Sequence, residues 1–352
     1  MRSFEHGYLL ETPLSHGLLQ AMRAIGEFRG RQSLYQQQSP EVLETLRRVA
    51  MVQSAESSNR IEGITVAPGR IEPLIAKKVR PRDRSEQEVA GYRDVLATIH
   101  VNHQKLRFST DLIKSWHRDL YRFTEESGGA WKSKDNAILE VLPDGRQIVR
   151  FQPVSALATP EFMGQLMTLF TRAMDERKTD PLLLVATFVF DFECIHPFWD
   201  GNGRIGRLLT LLLLYQAGYE VGRYISLERI VEESKETYYE ALLNSSQGWH
   251  EAKHDLRLWW NYFLGMLTAA FKEFEGRVGT ITSAKGAKRE MVRQAIERIV
   301  GRFTVGDLKR VCPGVSYPTL QRALAELKKD KKIRCLGRGP DAQWERIERS
   351  KG

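Results

Sequence analysis

The sequence predicts a mainly α-helical fold: a helical bundle carrying one small β-hairpin, followed by a short basic unit of helices and two strands. Three observations carry that expectation. Apolar residues recur at helical spacing over most of the 352 residues. One pair of strand-like runs around a turn signal interrupts them. The charge is uneven: residues 285–352 hold 18 Lys/Arg against 8 Asp/Glu, a net of +10, and the rest of the chain is close to neutral.

The elements follow in order. Residues 14–63 read as two or three helices; after Pro40, Val42, Leu43, Leu46, Val49 and Val52 share one helical face. Residues 77–84 form a basic, proline-broken run that reads as a solvated loop. Residues 85–106 and 109–124 are helical again. Two apolar-rich runs, 137–142 and 147–151, then flank Pro143-Asp144-Gly145, where Pro pre-sets φ and Gly accepts positive φ, as a hairpin turn needs. A helix is expected over 160–175. Asp180 and Pro181 form an N-cap and first-turn proline for the next, which is apolar nearly all round to Ile195 and belongs in the middle of a bundle. Further helices are expected at 204–217, stopped by Gly218, and at 235–247 and 253–275, with a linker at 283–286.

Composition narrows the class. With 42% hydrophobic, 28% charged and 9% aromatic residues, disorder, collagen and coiled coil are disfavoured. No apolar run approaches the roughly 18 residues that span a membrane. The first residues lack the features of a secretion signal. Cys194, Cys312 and Cys335 have no metal-site or disulfide spacing. A cytoplasmic protein without membrane partners is the expectation.

The chemistry concentrates in His196-Pro-Phe-Trp-Asp-Gly-Asn-Gly-Arg-Ile-Gly-Arg207. Gly201 and Gly203 allow close backbone approach at the start of a helix, where free amides and the dipole favour anions. Arg204 and Arg207, three apart, can face one anion, and two guanidiniums with a nest of amides suit a polyphosphate. Asp200 offers a hard oxygen for Mg²⁺. His196 titrates near neutrality and can take a proton from a hydroxyl. No Walker loop is present.

All twelve positions of this run resemble the signature of the Fic family, HPFx(D/E)GNGRxxR. The resemblance extends over roughly residues 110–250 and implies a Fic-type bundle that transfers AMP from ATP to a protein hydroxyl, on Tyr, Ser or Thr, releasing pyrophosphate. It implies that His196 is the general base and that Asp200 holds Mg²⁺. Gly201, Asn202 and Gly203 form the anion hole, Arg204 and Arg207 bind the β- and γ-phosphates, and Ile205 and Gly206 complete the nucleotide-binding run. The related Doc branch carries Lys where Gly203 stands and transfers phosphate, so adenylylation is implied. Residues 131–138 resemble the start of the family's hairpin flap, with Trp131 and Lys132 where Phe and Arg are common; this makes Asn136, Ala137 and Ile138 nucleotide contacts. Tyr238 and Tyr239 stand at adenine-side positions, though helix packing explains them equally well, and Ser246 replaces an Asn of some relatives.

Residues 58–63, Ser-Asn-Arg-Ile-Glu-Gly, read as a helix end with Glu62 in its last turn and Gly63 as the stop. A carboxylate there opposes the helix dipole. The run resembles the family's inhibitory motif, (S/T)xxxE(G/N), which implies that Ser58 and Glu62 are regulatory and that Glu62 pairs with Arg207 where the γ-phosphate would lie.

At the C-terminus, Thr304 and Asp307 make a capping box for a short helix to Val311, residues 312–315 make a turn, and Ser316 caps a helix over 317–329 with Leu320, Leu324 and Leu327 inward. Two strands follow. The pattern is similar to a winged helix-turn-helix, with Tyr317, Thr319, Gln321 and Arg322 placed to reach DNA. The expected organisation is an N-terminal helical region (1–105) with its inhibitory helix around 48–63, a catalytic core (106–250), a packing helix and linker (251–284) and the winged helix (285–352). A homodimer is a family-based expectation. Two other functions fit the same residues: a nucleotide-sensing transcriptional regulator, and removal of AMP from a modified hydroxyl.

Overall fold

Helical periodicity becomes helix almost everywhere it is expected. The structure, a computed structural model, describes residues 2–347 apart from 6, 39, 142–144, 280–283, 300, 313, 314, 338, 340 and 341. A short α1 (Tyr8–Glu11) precedes two long helices, α2 (His16–Gln38) and α3 (Pro40–Ile61). The α3 stripe of Val42, Leu43, Leu46, Val49 and Val52 is buried, as its spacing requires. Gly63, with φ of 81°, ends α3: its N–H reaches Arg60 O at 2.9 Å and the Ile64 N–H reaches Asn59 O at 3.0 Å. Glu62 therefore lies one residue beyond the helix rather than in its last turn.

After α4 (Pro68–Ile75), the basic stretch before residue 84 is mostly exposed. Asp83 caps α5 (Arg84–Asn102) and Ser109 caps α6 (Thr110–Leu120) through side-chain oxygens. The hairpin pairs β1 (Ile138–Val141) antiparallel to β2 (Gln147–Phe151). Pro143 and Asp144 of its turn lie outside the described residues; Gly145 has φ of 83°. Four helices follow the hairpin and build the centre: α7 (Thr159–Glu176), α8 (Pro181–Ile195), α9 (Asn202–Gln216) and the short α10 (Leu227–Glu233). Every residue of α8 from Leu182 to Ile195 is buried, because α7, α9 and the later α12 (Arg257–Gly279) surround it. Between them α11 (Lys235–Ser246) closes the site from the side. One hydrophobic core unites these helices with α2 and α3.

The expected linker at 283–286 is helical from Ala284, the first residue of α13 (Ala284–Arg298), so Gly286 is tolerated inside a helix; Ser283 is outside the described residues. A second core, from Val292 to Ile333, holds the C-terminal unit together. Thr304 and Asp307 form the capping box of α14 (Val305–Val311). Ser316 precedes α15 (Tyr317–Lys329), but its hydroxyl bonds Thr319 Oγ1 rather than a helix amide. Pro313 and Gly314 of the turn between these helices are outside the described residues, as are 338, 340 and 341 between the strands. The sheet has three strands in the order β3 (Arg302–Phe303), β5 (Trp344–Arg346), β4 (Ile333–Cys335). The two-residue β3 is too short to leave a period-two signal in the sequence. Met291 of α13 inserts into the core of the body. No helix among the described residues is long and apolar enough to cross a membrane.

Candidate active site

His196 is presented where α8 ends. Its N–H still reaches Phe192 O at 2.9 Å, but its φ of 51° turns the chain out of the helix. A non-glycine residue in that region stores about 1–3 kcal/mol, so the surroundings must hold it there. They do so from three sides. The Lys132 N–H reaches Pro197 O at 2.9 Å, and Lys132 Nζ donates to Ile195 O at 3.2 Å. Asn202 clasps Phe198, accepting its N–H and donating to its carbonyl, both at 2.8 Å. The His117 ring lies flat on Phe198 with centroids 3.8 Å apart. His117 Nδ1 accepts the Gly129 N–H at 2.8 Å, so its Nε2 carries the proton and donates to Asp200 O at 3.0 Å. Gly201, with φ of 80°, then turns the chain into α9.

The two motif arginines separate. Three residues on a helix are about 60° apart around its axis, and different neighbours take each side chain. Arg204 is buried and bonds Glu88 of α5, the Tyr121 hydroxyl at 2.8 Å and Asp200 at 3.3 Å. Arg207 points to α3: Nε donates to Ser58 Oγ and Nη2 to Ser58 O, both at 2.8 Å, and Nη2 also to Glu62 Oε1 at 2.7 Å. The expectation that both face one anion is therefore not met; Glu88, whose role the sequence did not signal, draws Arg204 away. Acting against burial, the Glu62 carboxylate raises the Arg207 pKa and keeps it a cation.

Beside Arg207 opens a cavity of about 670 Å³. His196, Gly203, Arg207 and Glu62 line it, as do Ala137 and Ile138 from the hairpin and Tyr238, Tyr239 and Ser246 from α11. Glu62 sits over the start of α9: a β-carbon on Gly203 would lie 2.5 Å from Glu62 Oε1. Tyr238 is buried against Trp259 and Tyr262 while also facing the cavity, so packing and site coincide. Several expected contacts do not line the cavity. Asn136 instead ties the hairpin to the motif loop, accepting from Lys132 Nζ at 2.8 Å and donating to Phe198 O at 3.2 Å. Ile205 is core, and Gly206 lets α9 pass directly over Glu193.

Burial, helped by the positive Lys132, lowers the His196 pKa to about 4, so the ring is neutral at pH 7 and can act as a base. Its Nδ1 faces Glu193 Oε2 at 3.9 Å, leaving Nε2 for a substrate. Burial pushes Glu193 up to about 7. For Asp200, burial opposes ionisation, but the Tyr121 hydroxyl at 2.7 Å and Arg204 outweigh it and lower the pKa. An ionised, exposed carboxylate of this kind suits Mg²⁺, which keeps waters and takes further oxygens from substrate phosphates. No group of three or more metal-ligating side chains occurs among the described residues, so the phosphates would have to complete such a site.

Some cavity residues escaped the sequence reading. Glu193 was legible only as the residue one helical turn before His196. Arg150 is the extra residue of a bulge in β2, between the Ile138–Phe151 and Leu139–Val149 pairs; it donates to Tyr239 O at 2.6 Å. Lys235 begins α11 and donates to Ile61 O at 2.7 Å. A larger cavity, about 800 Å³, lies between α3, α10, α12 and the C-terminal unit; Arg60, Arg229 and Arg277 there are already paired with Glu56, Glu232, Glu233 and Glu273, and among the described residues no histidine lines it.

Known proteins resemble this chain in sequence and in fold. The model of the Fic/DOC family matches residues 107–214. A Fido domain-containing protein of Dictyostelium discoideum is 32% identical over 106 residues, 25% of this chain and 74% of that protein. The crystal structure of a Fic family protein from Desulfovibrio desulfuricans superposes with a TM-score of 0.61 at 22% identity, covering 97% of this chain and 99% of that one. A Fic domain containing signaling protein from Bacteroides thetaiotaomicron gives 0.59 at 23%, covering 75% and 98%. Fic-1 from C. elegans gives 0.59 at 21%, covering 75% and 73%. These structural likenesses speak for the fold; with the matched motif and the Dictyostelium relative, the chain belongs to the Fic/DOC family.

Proposed function

We propose that the chain is a protein adenylyltransferase restrained by Glu62. The observation that carries this reading is the cavity in which a neutral His196, the Gly203 backbone and the Arg207 guanidinium meet, with Glu62 already bonded to Arg207. In the reaction an acceptor hydroxyl of Tyr, Ser or Thr attacks the α-phosphorus of ATP. The bond to the bridging oxygen breaks, pyrophosphate leaves, and the hydroxyl proton passes to His196 Nε2. The α9 amides and Arg207 offset the phosphate charge. Asp200 would hold Mg²⁺, which when bound neutralises phosphate charge. Arg204 serves this arrangement by orienting Asp200 and Tyr121. One guanidinium cannot serve Glu62 and a γ-phosphate in the same place, so the resting protein binds ATP poorly.

Incubation of wild type, His196→Ala and Glu62→Gly with α-³²P-labelled ATP and Mg²⁺, with lysate as acceptor, tests this. Label should rise in Glu62→Gly and vanish when His196→Ala is added. No label on any protein would overturn the reading. The reverse reaction has one observation in its favour, since Glu62 shares the cavity with His196 and could align a water; in that case AMP release from a modified protein would be lost in Glu62→Gly.

The C-terminal unit fits a winged helix that contacts nucleic acid. Tyr317, Gln321 and Arg322 of α15 are exposed, Thr319 is half-buried, and the segment is strongly basic. Binding of duplex DNA that weakens steeply with salt, and is lost in Arg322→Ala, would support it. A homodimer and a cytoplasmic site of action complete the reading.

A further inference from the structure

We propose that Lys235 is a second phosphate-binding cation of this site, held at rest on the end of the inhibitory helix; this rests on the nucleotide reading above. The argument begins with a shortage of charge. A triphosphate carrying one Mg²⁺ keeps more negative charge than a single guanidinium neutralises. Arg204 does not supply the remainder, because it is buried on Glu88 and Asp200 and does not line the cavity. The cavity is lined by three cations among the described residues: Arg150, Arg207 and Lys235. Arg150 and Lys235 are held alike, each on a backbone carbonyl, Tyr239 O at 2.6 Å and Ile61 O at 2.7 Å, and each over the Tyr239 ring, 5.5 and 5.8 Å from its centroid. Of the two, Lys235 is the one that holds the residue next to Glu62.

Its position is informative. Lys235 is the first residue of α11, where a cation meets the positive end of the helix dipole and weakens the helix. Ser234 does not cap that end with its side chain; its hydroxyl donates to Ile230 O at 2.7 Å. Glu236 in the same turn offsets part of that cost. Lys235 Nζ donates to Ile61 O at 2.7 Å, the residue next to Glu62. Both ends of the Ile61–Glu62 segment are therefore held by cavity cations, the carbonyl by Lys235 and the carboxylate by Arg207. A phosphate is a stronger partner for an ammonium than a neutral carbonyl. When nucleotide enters, Lys235 exchanges Ile61 O for a terminal phosphate, and the last turn of α3 loses a restraint in the same event.

A purely structural role, capping the carbonyl end of α3, predicts no preference among nucleotides. The test is calorimetric titration of Mg-ATP and of AMP into Glu62→Gly, Glu62→Gly/Lys235→Met and Glu62→Gly/Lys235→Arg. Expected is a roughly tenfold weaker ATP Kd for the Met variant, as for one lost charge-assisted hydrogen bond, with AMP affinity unchanged and ATP affinity restored by Arg. Retained AMP binding also reports an intact fold. Unchanged ATP affinity, or equal weakening of ATP and AMP, would overturn the role of Lys235 alone. Failure of Glu62→Gly itself to bind either nucleotide would overturn the nucleotide reading and this inference with it.

Discussion

Glu62→Gln and Glu62→Gly remove different parts of one contact, which makes the restraint measurable. The Glu62–Arg207 bond is 2.7 Å long, with Arg207 6% and Glu62 32% exposed. A hydrogen bond between charged groups contributes about 1.5–3 kcal/mol, and the exposure of Glu62 places this one toward the low end, about 2 kcal/mol. On the proposed reading productive ATP breaks it, so removing the side chain should tighten ATP binding about thirtyfold. Gln keeps the shape and an acceptor oxygen but not the charge. A neutral acceptor retains about 0.7 kcal/mol, so Gln should recover only about tenfold. The assay is equilibrium binding of Mg-ATP to the three proteins at one ionic strength. The expected order of affinity is Gly, then Gln, then wild type. Equal affinities throughout, or Gln indistinguishable from wild type, would refute the reasoning, because the first denies competition and the second denies that charge drives it.

Three other outcomes are expected. Gly206→Ala should destabilise the body by about 1–3 kcal/mol, since the new methyl would collide with the buried Glu193 carboxylate, and Glu193→Ala in the same protein should recover much of the loss in thermal melting. The acid limb of kcat/KM for labelling by Glu62→Gly should fall at about pH 4 or below, because burial and Lys132 lower the His196 pKa to about 4 and the substitution removes the Glu62 carboxylate that raises it; an inflection near 6.5 would contradict a buried base. Burial raises the Asp191 carboxyl from 3.8 to about 7, so the folded state holds a proton that the unfolded state releases. That group costs nothing below about pH 4 and destabilises progressively as pH rises to 7. Asp191→Asn should remove this contribution to the slope in urea denaturation between pH 4 and 7, leaving those of Glu193 and the buried histidines, while still accepting from Ser3 and Trp249, each at 2.7 Å in the wild type.

Much of this protein was legible in its chain because its signals are local. Helical periodicity placed α3 and the nearly all-apolar α8 within a residue or two, since burial of one face, or of all faces, must be written every three or four positions. Gly63 marked the end of α3, and Pro-Asp-Gly marked the hairpin. The motif from His196 to Arg207 is contiguous, so the family signature it carries was readable without coordinates. What the sequence could not express is which neighbour each side chain meets. Arg204 and Arg207 are equivalent on paper; α5 brings Glu88 to one and α3 brings Ser58 and Glu62 to the other, across separations of 116, 149 and 145 residues. The neutrality of His196 is likewise a property of burial, not of residue type. A one-residue bulge aims Arg150 at Tyr239, and a helix start aims Lys235 at the end of α3. Backbone pattern is set by residues close in sequence, whereas charge pairing, desolvation and competition for a guanidinium arise only when distant segments share one space.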